Sequence, residues 1–351
     1  MALYHKIAEF IMEKIKTEEW KKGQLIPSEK EFCEQFQVSR PTVRAAIAYL
    51  ANQGYLVTVK GKGTFVSKPK IVEDTTVFLE SFSKEMATKG KTMQTVLFHE
   101  IIFGPIHSRR LGISLGVNLL PVDGKLCSFD CVYCECGYNA QGVGKSGLPS
   151  SDRVEEELKS RLQSMHEAGE KLDVITFAGN GEPTLHPEFE KIIDTTLYLR
   201  DHYYPEAKIS VLSNATRIHD ESVFRALNRV DNNILKLDSL RPETVVLIDN
   251  PNDPHFDVNK VVDNLKRFSG NVIIQTMFLR GWHDGKRIDN TVEEELKPWL
   301  EALQRIFPRS VMVYTIDRKT PEESLEKVSR EELEQIADRA RALGFEVSVS
   351  A

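Results

Sequence analysis

No stretch of this chain reaches the roughly 18 consecutive apolar residues that a bilayer-crossing helix takes. The opening segment is broken by Lys6, Glu9, Glu13 and Lys14, which argues against a secretory leader. The expectation is a cytoplasmic protein with no membrane partner. There is no tract of biased composition and no visible internal repeat, so collagen, a coiled-coil rod and wholesale disorder are excluded. Cysteine is scarce, five in 351 residues, too few and too unevenly placed for a disulfide framework.

Length argues for two domains, at about 150 residues each. Charge is divided to match: residues 1–70 hold 12 Lys or Arg against 7 Asp or Glu, and the chain total is −6, so residues 71–351 carry −11. A basic end on an acidic protein is what a nucleic-acid contact requires. Cys127, Cys131, Cys134 and Cys136 fall within ten residues, and Cys33 stands alone. Such clustering reads as metal ligation.

Residues 1–69 begin with Ile7, Phe10, Ile11 and Ile15 at helical spacing, followed by a loop from Gly23 to Pro27. Ser28 reads as an N-cap and Glu31 completes a capping box, so a helix is expected to about Phe36. A second cap at Ser39 opens a helix with Val43, Ile47 and Leu50 on one face, stopped by Gly54. Two helices joined by so short a turn make a helix-turn-helix. Tyr55–Val59 and Thr64–Val66 read as a hairpin with a basic tip, Lys60-Gly61-Lys62-Gly63. The segments Leu25-Ile26-Pro27-Ser28-Glu29, Val38-Ser39-Arg40-Pro41-Thr42-Val43-Arg44 and Gly61-Lys62-Gly63-Thr64-Phe65-Val66 resemble the winged helix-turn-helix of GntR-type bacterial regulators. The resemblance implies a DNA partner and, in such readers, a homodimer. Ser39, Arg40, Thr42 and Arg44 then face a major groove, and Lys60 and Lys62 face phosphate or the minor groove. The plain alternative is a solvated basic face. Residues 70–102 read as a linker, in which Phe78–Met86 resembles the opening helix of a GntR ligand-sensing domain whose remainder is missing.

Residues 103–351 alternate strand and helix. Expected strands are 113–120, 173–177, 208–212, 233–237, 271–278 and 310–316, and expected helices are 152–167, 188–201, 221–228, 258–268, 292–307 and 330–343. Six such units with near-continuous apolar strands imply an α/β domain with a parallel sheet curled into a partial (β/α)6 barrel. A doubly wound open sheet is the structural alternative.

After the first of these strands comes Cys127-x3-Cys131-x2-Cys134, on a loop of the kind that builds sites in such sheets. Three thiolates suit three corners of a 4Fe–4S cube and leave one iron open. Zinc needs a fourth ligand, for which Cys136 is poorly spaced. The spacing, with Tyr133 before the last cysteine, resembles the signature of the radical S-adenosylmethionine (SAM) superfamily. Gly179-Asn180-Gly181-Glu182-Pro183 resembles its glycine-rich segment that receives the methionine amino group, with Asn180 standing where glycine is usual. Ser213 and Asn214 resemble the polar pair that approaches the SAM ribose or carboxylate, and Lys236 and Asp238, at the end of the fourth strand, are by the same resemblance expected to contact SAM. Phe103–Gly116, Phe177–Pro187 and Tyr314–Arg318 resemble the bacterial branch grouped near the tRNA wyosine-base synthases. The resemblance implies one cluster, bound SAM, reductive SAM cleavage, an electron donor of the flavodoxin or ferredoxin class, and Tyr133 near adenine.

Arg109, Arg110 and Arg318 are candidates for holding a substrate phosphate or carboxylate, or for pairing with acidic loop residues. His107 and His186 read as either acid/base groups or hydrogen-bonding spacers. Cys136 is either a bystander thiol or part of the cluster loop. The competing functional class is a non-catalytic regulator whose cluster or SAM site senses redox state, iron or SAM.

Overall fold

The structure, a computed structural model, describes residues 3–16, 19–21, 23–52, 56–59, 63–66, 97–108, 111–318 and 320–351. Lys60, Lys62, Arg109, Arg110 and the helix expected at 78–86 lie outside the described residues. The chain divides into two compact units, Met1–Asp74 and Thr75–Ala351.

The first unit holds helices Leu3–Lys16, Glu29–Phe36 and Arg40–Asn52, then strands β1 (Leu56–Val59) and β2 (Gly63–Val66). The Ser28–Glu31 capping box forms: the Ser28 N–H donates to Glu31 Oε2 at 2.7 Å and the Glu31 N–H to Ser28 Oγ at 3.3 Å. Gln37, left-handed at φ 52°, closes that helix, so the chain turns at once into the next. Ile7, Ile11, Phe32, Val43, Leu50 and Leu56 are buried together. β1 and β2 pair antiparallel, Leu56 against Val66. The 24–26 stretch joins them, since the Ile26 N–H donates to Thr64 O at 2.9 Å and the Val66 N–H to Gln24 O at 2.8 Å.

In the second unit an eight-stranded sheet runs β3 (Ile102–Ser108), β4 (Gly112–Val117), β5 (Val174–Phe177), β6 (Lys208–Ser213), β7 (Asn232–Lys236), β8 (Ile273–Met277), β11 (Ser310–Tyr314) and β13 (Val347–Ser350). Only β3 is antiparallel to its neighbour. Spatial order follows chain order throughout, so there is no reversal point and the doubly wound alternative does not hold. β3 and β13 are not paired with each other, which leaves the sheet open. All six expected strands are present, with helices Ser151–Glu167, Phe189–Tyr203, Glu221–Leu227, Val258–Lys266, Glu293–Ile306 and Arg330–Ala342 in the intervals. Every residue of β5 and β8 is buried, as a sheet covered on both faces requires. Trp299, also buried, donates its indole N–H to Thr276 Oγ1 at 3.0 Å.

Three features extend the expected plan. The edge strand β3 carries Pro105, which an interior strand would not accept, and its register shifts between Phe103 and Ile106. β13 adds a seventh parallel strand. Strand β9 (Leu279–His283) pairs antiparallel with β10 (Lys286–Asp289) and with the two-residue β12 (Glu326–Lys327), forming a small second sheet.

Candidate cluster site

The three cysteines lie on the long loop after β4, and the backbone of that loop is fastened on two sides. On one side the Leu126 N–H donates to Asn180 O at 2.9 Å and the Glu182 N–H to Leu126 O at 3.0 Å. On the other, the Asp130 N–H donates to Asp249 O (2.9 Å), the Val132 N–H to Ile248 O (3.0 Å) and the Asn252 N–H to Ser128 O (2.9 Å). Gly181 (φ +136°) is required by the first side, because a Cβ there would sit 1.9 Å from Leu126 O. A Cβ on Gly179 (φ +151°) would meet Asn118 Oδ1 at 2.4 Å. Inside the loop, the Asn139 amide donates to Phe129 O at 3.0 Å and to Cys127 O at 3.3 Å.

Two of the three sulfurs face a donor. Asn214 Nδ2 is 3.5 Å from Cys127 Sγ, and Lys236 Nζ donates to Cys131 Sγ at 2.9 Å. The Cys136 thiol donates to Gly179 O at 3.4 Å, and its closeness to Cys134 holds the Cys134 thiol down to about 6. Lys125, 2% exposed, donates to Gly137 O at 2.6 Å and lies 3.3 Å from Asp130 Oδ1, where its charge acts on all three thiols. Burial pushes the Cys127 thiol up to about 12 and raises that of Cys131. Both would carry protons until a metal displaces them. Among the described residues no three His, Cys, Asp or Glu side chains converge as ligands of a single ion. The three thiols nevertheless sense one another's charge. Three cysteine thiols carried on one loop are the donor set that suits three irons of a 4Fe–4S cube and keeps the fourth open.

The segment expected to receive SAM lies directly against this loop. The Glu182 carboxylate is buried and accepts four hydrogen bonds: at Oε1 from the Thr184 N–H (3.0 Å), Thr184 Oγ1 (2.5 Å) and Ser213 Oγ (2.8 Å), and at Oε2 from the Asn214 N–H (2.6 Å). It ties the end of β5 to the end of β6. Burial raises its pKa against the lowering by those bonds. The Asn180 side chain turns to the backbone: its amide donates to Phe98 O and Pro121 O, both at 2.8 Å, and its oxygen accepts from the Phe98 N–H at 2.7 Å. Ser213 and Asn214 are held at the loop, with Asn214 Nδ2 also donating to Ser128 Oγ at 2.9 Å. Ala215 follows in the left-handed region at φ 65°, where its N–H donates to Ser213 Oγ at 3.1 Å.

Tyr133 donates its hydroxyl to Asp238 Oδ2 at 2.5 Å, and its ring centroid lies 4.8 Å from Lys236 Nζ. Lys236 also pairs with Asp249 Oδ1 at 2.5 Å and Asp238 Oδ2 at 3.2 Å. Arg318 is engaged by Glu135, between Cys134 and Cys136, at 2.5 Å. His186 is buried: Nε2 lies 2.7 Å from Pro149 O and Nδ1 accepts from the Glu188 N–H at 3.1 Å, the bonding of a structural spacer. In the first unit, Ser39 Oγ and Thr42 Oγ1 are 2.9 Å apart and Arg40 is exposed. Arg44 donates its Nε–H to both carboxylate oxygens of Glu29, at 3.0 and 2.9 Å. Sequence reading missed Lys125, Glu135 and Asp249, because a single charged residue in a loop carries no sign that the fold will bury or pair it.

The family "Bacterial regulatory proteins, gntR family" matches residues 3–66, and "Radical SAM superfamily" matches residues 122–294. A UPF0026 protein of Synechocystis is 30% identical over 228 residues, 63% of this chain and 77% of that protein. A Brachyspira hyodysenteriae protein named GTPase Obg is 31% identical over 240 residues, 67% of this chain, and the chain spans only 32% of its length. The Bacillus subtilis transcriptional repressor NagR is 44% identical over 90 residues, 26% of this chain and 37% of that protein. In fold, the chain is similar to a radical SAM methyltransferase from Sphaerobacter thermophilus, with a TM-score of 0.52, 15% identity and coverage of 71% of this chain and 68% of that one. The chain belongs with the UPF0026 proteins, and it carries a radical SAM domain behind a GntR-family winged helix-turn-helix. The radical SAM family binds a 4Fe–4S cluster and SAM. Among the described residues no helix is long and apolar enough to cross a membrane.

Proposed function

We propose that the protein is a cytoplasmic radical SAM enzyme, cleaving SAM reductively to act on a substrate of unassigned class while residues 1–69 hold it to DNA. Residues 70–102 are then a linker and residues 103–351 the catalytic domain. The observation that carries this reading is a three-thiol loop, fastened on both flanks at the ends of parallel strands, with side-chain donors at Cys127 and Cys131.

Cys127, Cys131 and Cys134 are the residues that would hold the cluster, which when bound supplies one electron to the SAM sulfonium. The protein's part is to hold and shield. Asn214 and Lys236 donate toward the Cys127 and Cys131 sulfurs, and such outer partners fix ligand orientation. Glu182 braces the two strand ends that carry Gly179–Gly181 and Ser213–Asn214, the segments assigned here to SAM. Asn180 contributes through its backbone, because its side chain is fully engaged. Tyr133 and Asp238 brace the far side, and Arg318, with Arg109 and Arg110, is assigned to an anionic substrate. The electron donor is a flavodoxin- or ferredoxin-class protein, and the DNA-bound form is a homodimer.

The test is anaerobic incubation of the iron-loaded full chain with SAM and a strong reductant. 5'-Deoxyadenosine should accumulate, and Cys131→Ala should abolish it. A loaded chain that binds SAM but forms no 5'-deoxyadenosine would turn the assignment toward a non-catalytic sensor.

A further inference from the structure

We propose that Lys236 sets the reduction potential of the cluster, through the hydrogen bond its ammonium donates to Cys131. The inference rests on the reading of Cys131 as a cluster ligand. It departs from the role that position suggests by resemblance, contact with SAM.

The Lys236 ammonium donates to Cys131 Sγ at 2.9 Å and forms ion pairs with Asp249 Oδ1 at 2.5 Å and Asp238 Oδ2 at 3.2 Å. The ammonium is also sandwiched, with its nitrogen 5.1 Å from the Phe129 ring centroid and 4.8 Å from that of Tyr133, both faces that favour a cation. Its anchors are fixed in turn. Asp238 accepts from the Met277 N–H at 2.9 Å and from Tyr133, while the Asp249 backbone oxygen accepts from the Asp130 N–H of the cysteine loop. The Lys236 side chain is 11% exposed, so water screens its charge little.

This is a cation built in place against one sulfur. Reduction adds one electron, and that negative charge spreads onto the thiolates. A fixed positive charge with an N–H···S bond stabilises the reduced form relative to the oxidised one, since hydrogen bonds to the sulfurs and net charge are levers on cluster potential. Removing it also leaves two carboxylates facing the cluster without their partner, which acts in the same direction.

The experiment is an EPR-monitored redox titration of the reconstituted full chain without SAM, so turnover plays no part. Lys236→Met should keep its iron and show a reduced-to-oxidised ratio about tenfold lower at fixed poise, equivalent to about 59 mV for one electron. Lys236→Arg, which keeps the charge, should stay near the parent. A fully loaded Lys236→Met with the parent's midpoint overturns the proposal. Iron loss in Lys236→Met with full loading in Lys236→Arg supports the charge, and loss in both overturns it in favour of packing. A Cys131→Ala chain that retains its irons and its midpoint would overturn the ligand reading beneath it, which the Lys236 variants do not test.

Discussion

Asn180 stands where the resembling superfamily usually has glycine, and its surroundings account for the difference. Its three side-chain hydrogen bonds join Phe98, ahead of the sheet, to Pro121 at the start of the cysteine loop. Asn180→Gly should therefore lower stability by about 3 kcal/mol, at roughly 1 kcal/mol net for each of the three bonds. Calorimetry should show a melting temperature reduced by several degrees with SAM affinity nearly unchanged, and an unaltered melting point would refute the structural role. Glu182 differs, because two donors to it, one at each oxygen, are backbone N–H groups that cannot turn away. Glu182→Gln should weaken SAM binding while the iron stays, as equilibrium binding to the loaded chain would show, and parental affinity would contradict the bracing role. Neither role was legible from residue type. Asn180 read as a ligand variant and Glu182 as a direct contact, and only the partners reveal that both act on backbone.

At the level of elements, what the sequence made legible depended on how completely each element is buried. The six interior strands announced themselves as apolar runs, and the Ser28–Glu31 box fixed a helix start to the residue. The two edges did not. β13 reads Val-Ser-Val-Ser with one face exposed, and β3 contains Gly104-Pro105, which argues for a turn unless the strand is known to lie at an edge. The cysteine spacing was fully legible, but the fastening of its loop was not, because Ile248, Asp249 and Asn252 are more than 110 positions beyond Cys127 and bond through backbone. Gly181 is the position where this fastening is most exposed to change. Gly181→Ala places a methyl against Leu126 O and should prevent the loop from seating, so iron content after reconstitution should fall to a small fraction of the parent's. Full iron loading in that variant would show that the loop does not depend on the bridge.

For the whole molecule, the basic unit and the acidic unit carry separate expectations. DNA binding by the full chain should fall steeply with salt, because each neutralised phosphate releases counterions. Arg44 must leave Glu29 to reach a base, and an exposed ion pair of this kind costs at most about 1 kcal/mol to part. Arg44→Ala should then cost about 1–3 kcal/mol of specific binding if the guanidinium makes a two-pronged base contact. Gel-shift titration on an operator against a scrambled duplex measures it, and equal loss on both would reassign Arg44 to phosphate. The central claim is narrower: one 4Fe–4S cluster held by Cys127, Cys131 and Cys134 and by no other cysteine. Iron and sulfide counted per chain after anaerobic reconstitution test it most directly. The account predicts about four irons in the parent and in Cys136→Ala, and loss of the cluster in Cys127→Ala, Cys131→Ala and Cys134→Ala. Stoichiometric zinc in the parent, or a cluster that survives Cys131→Ala and disappears with Cys136→Ala, would contradict it.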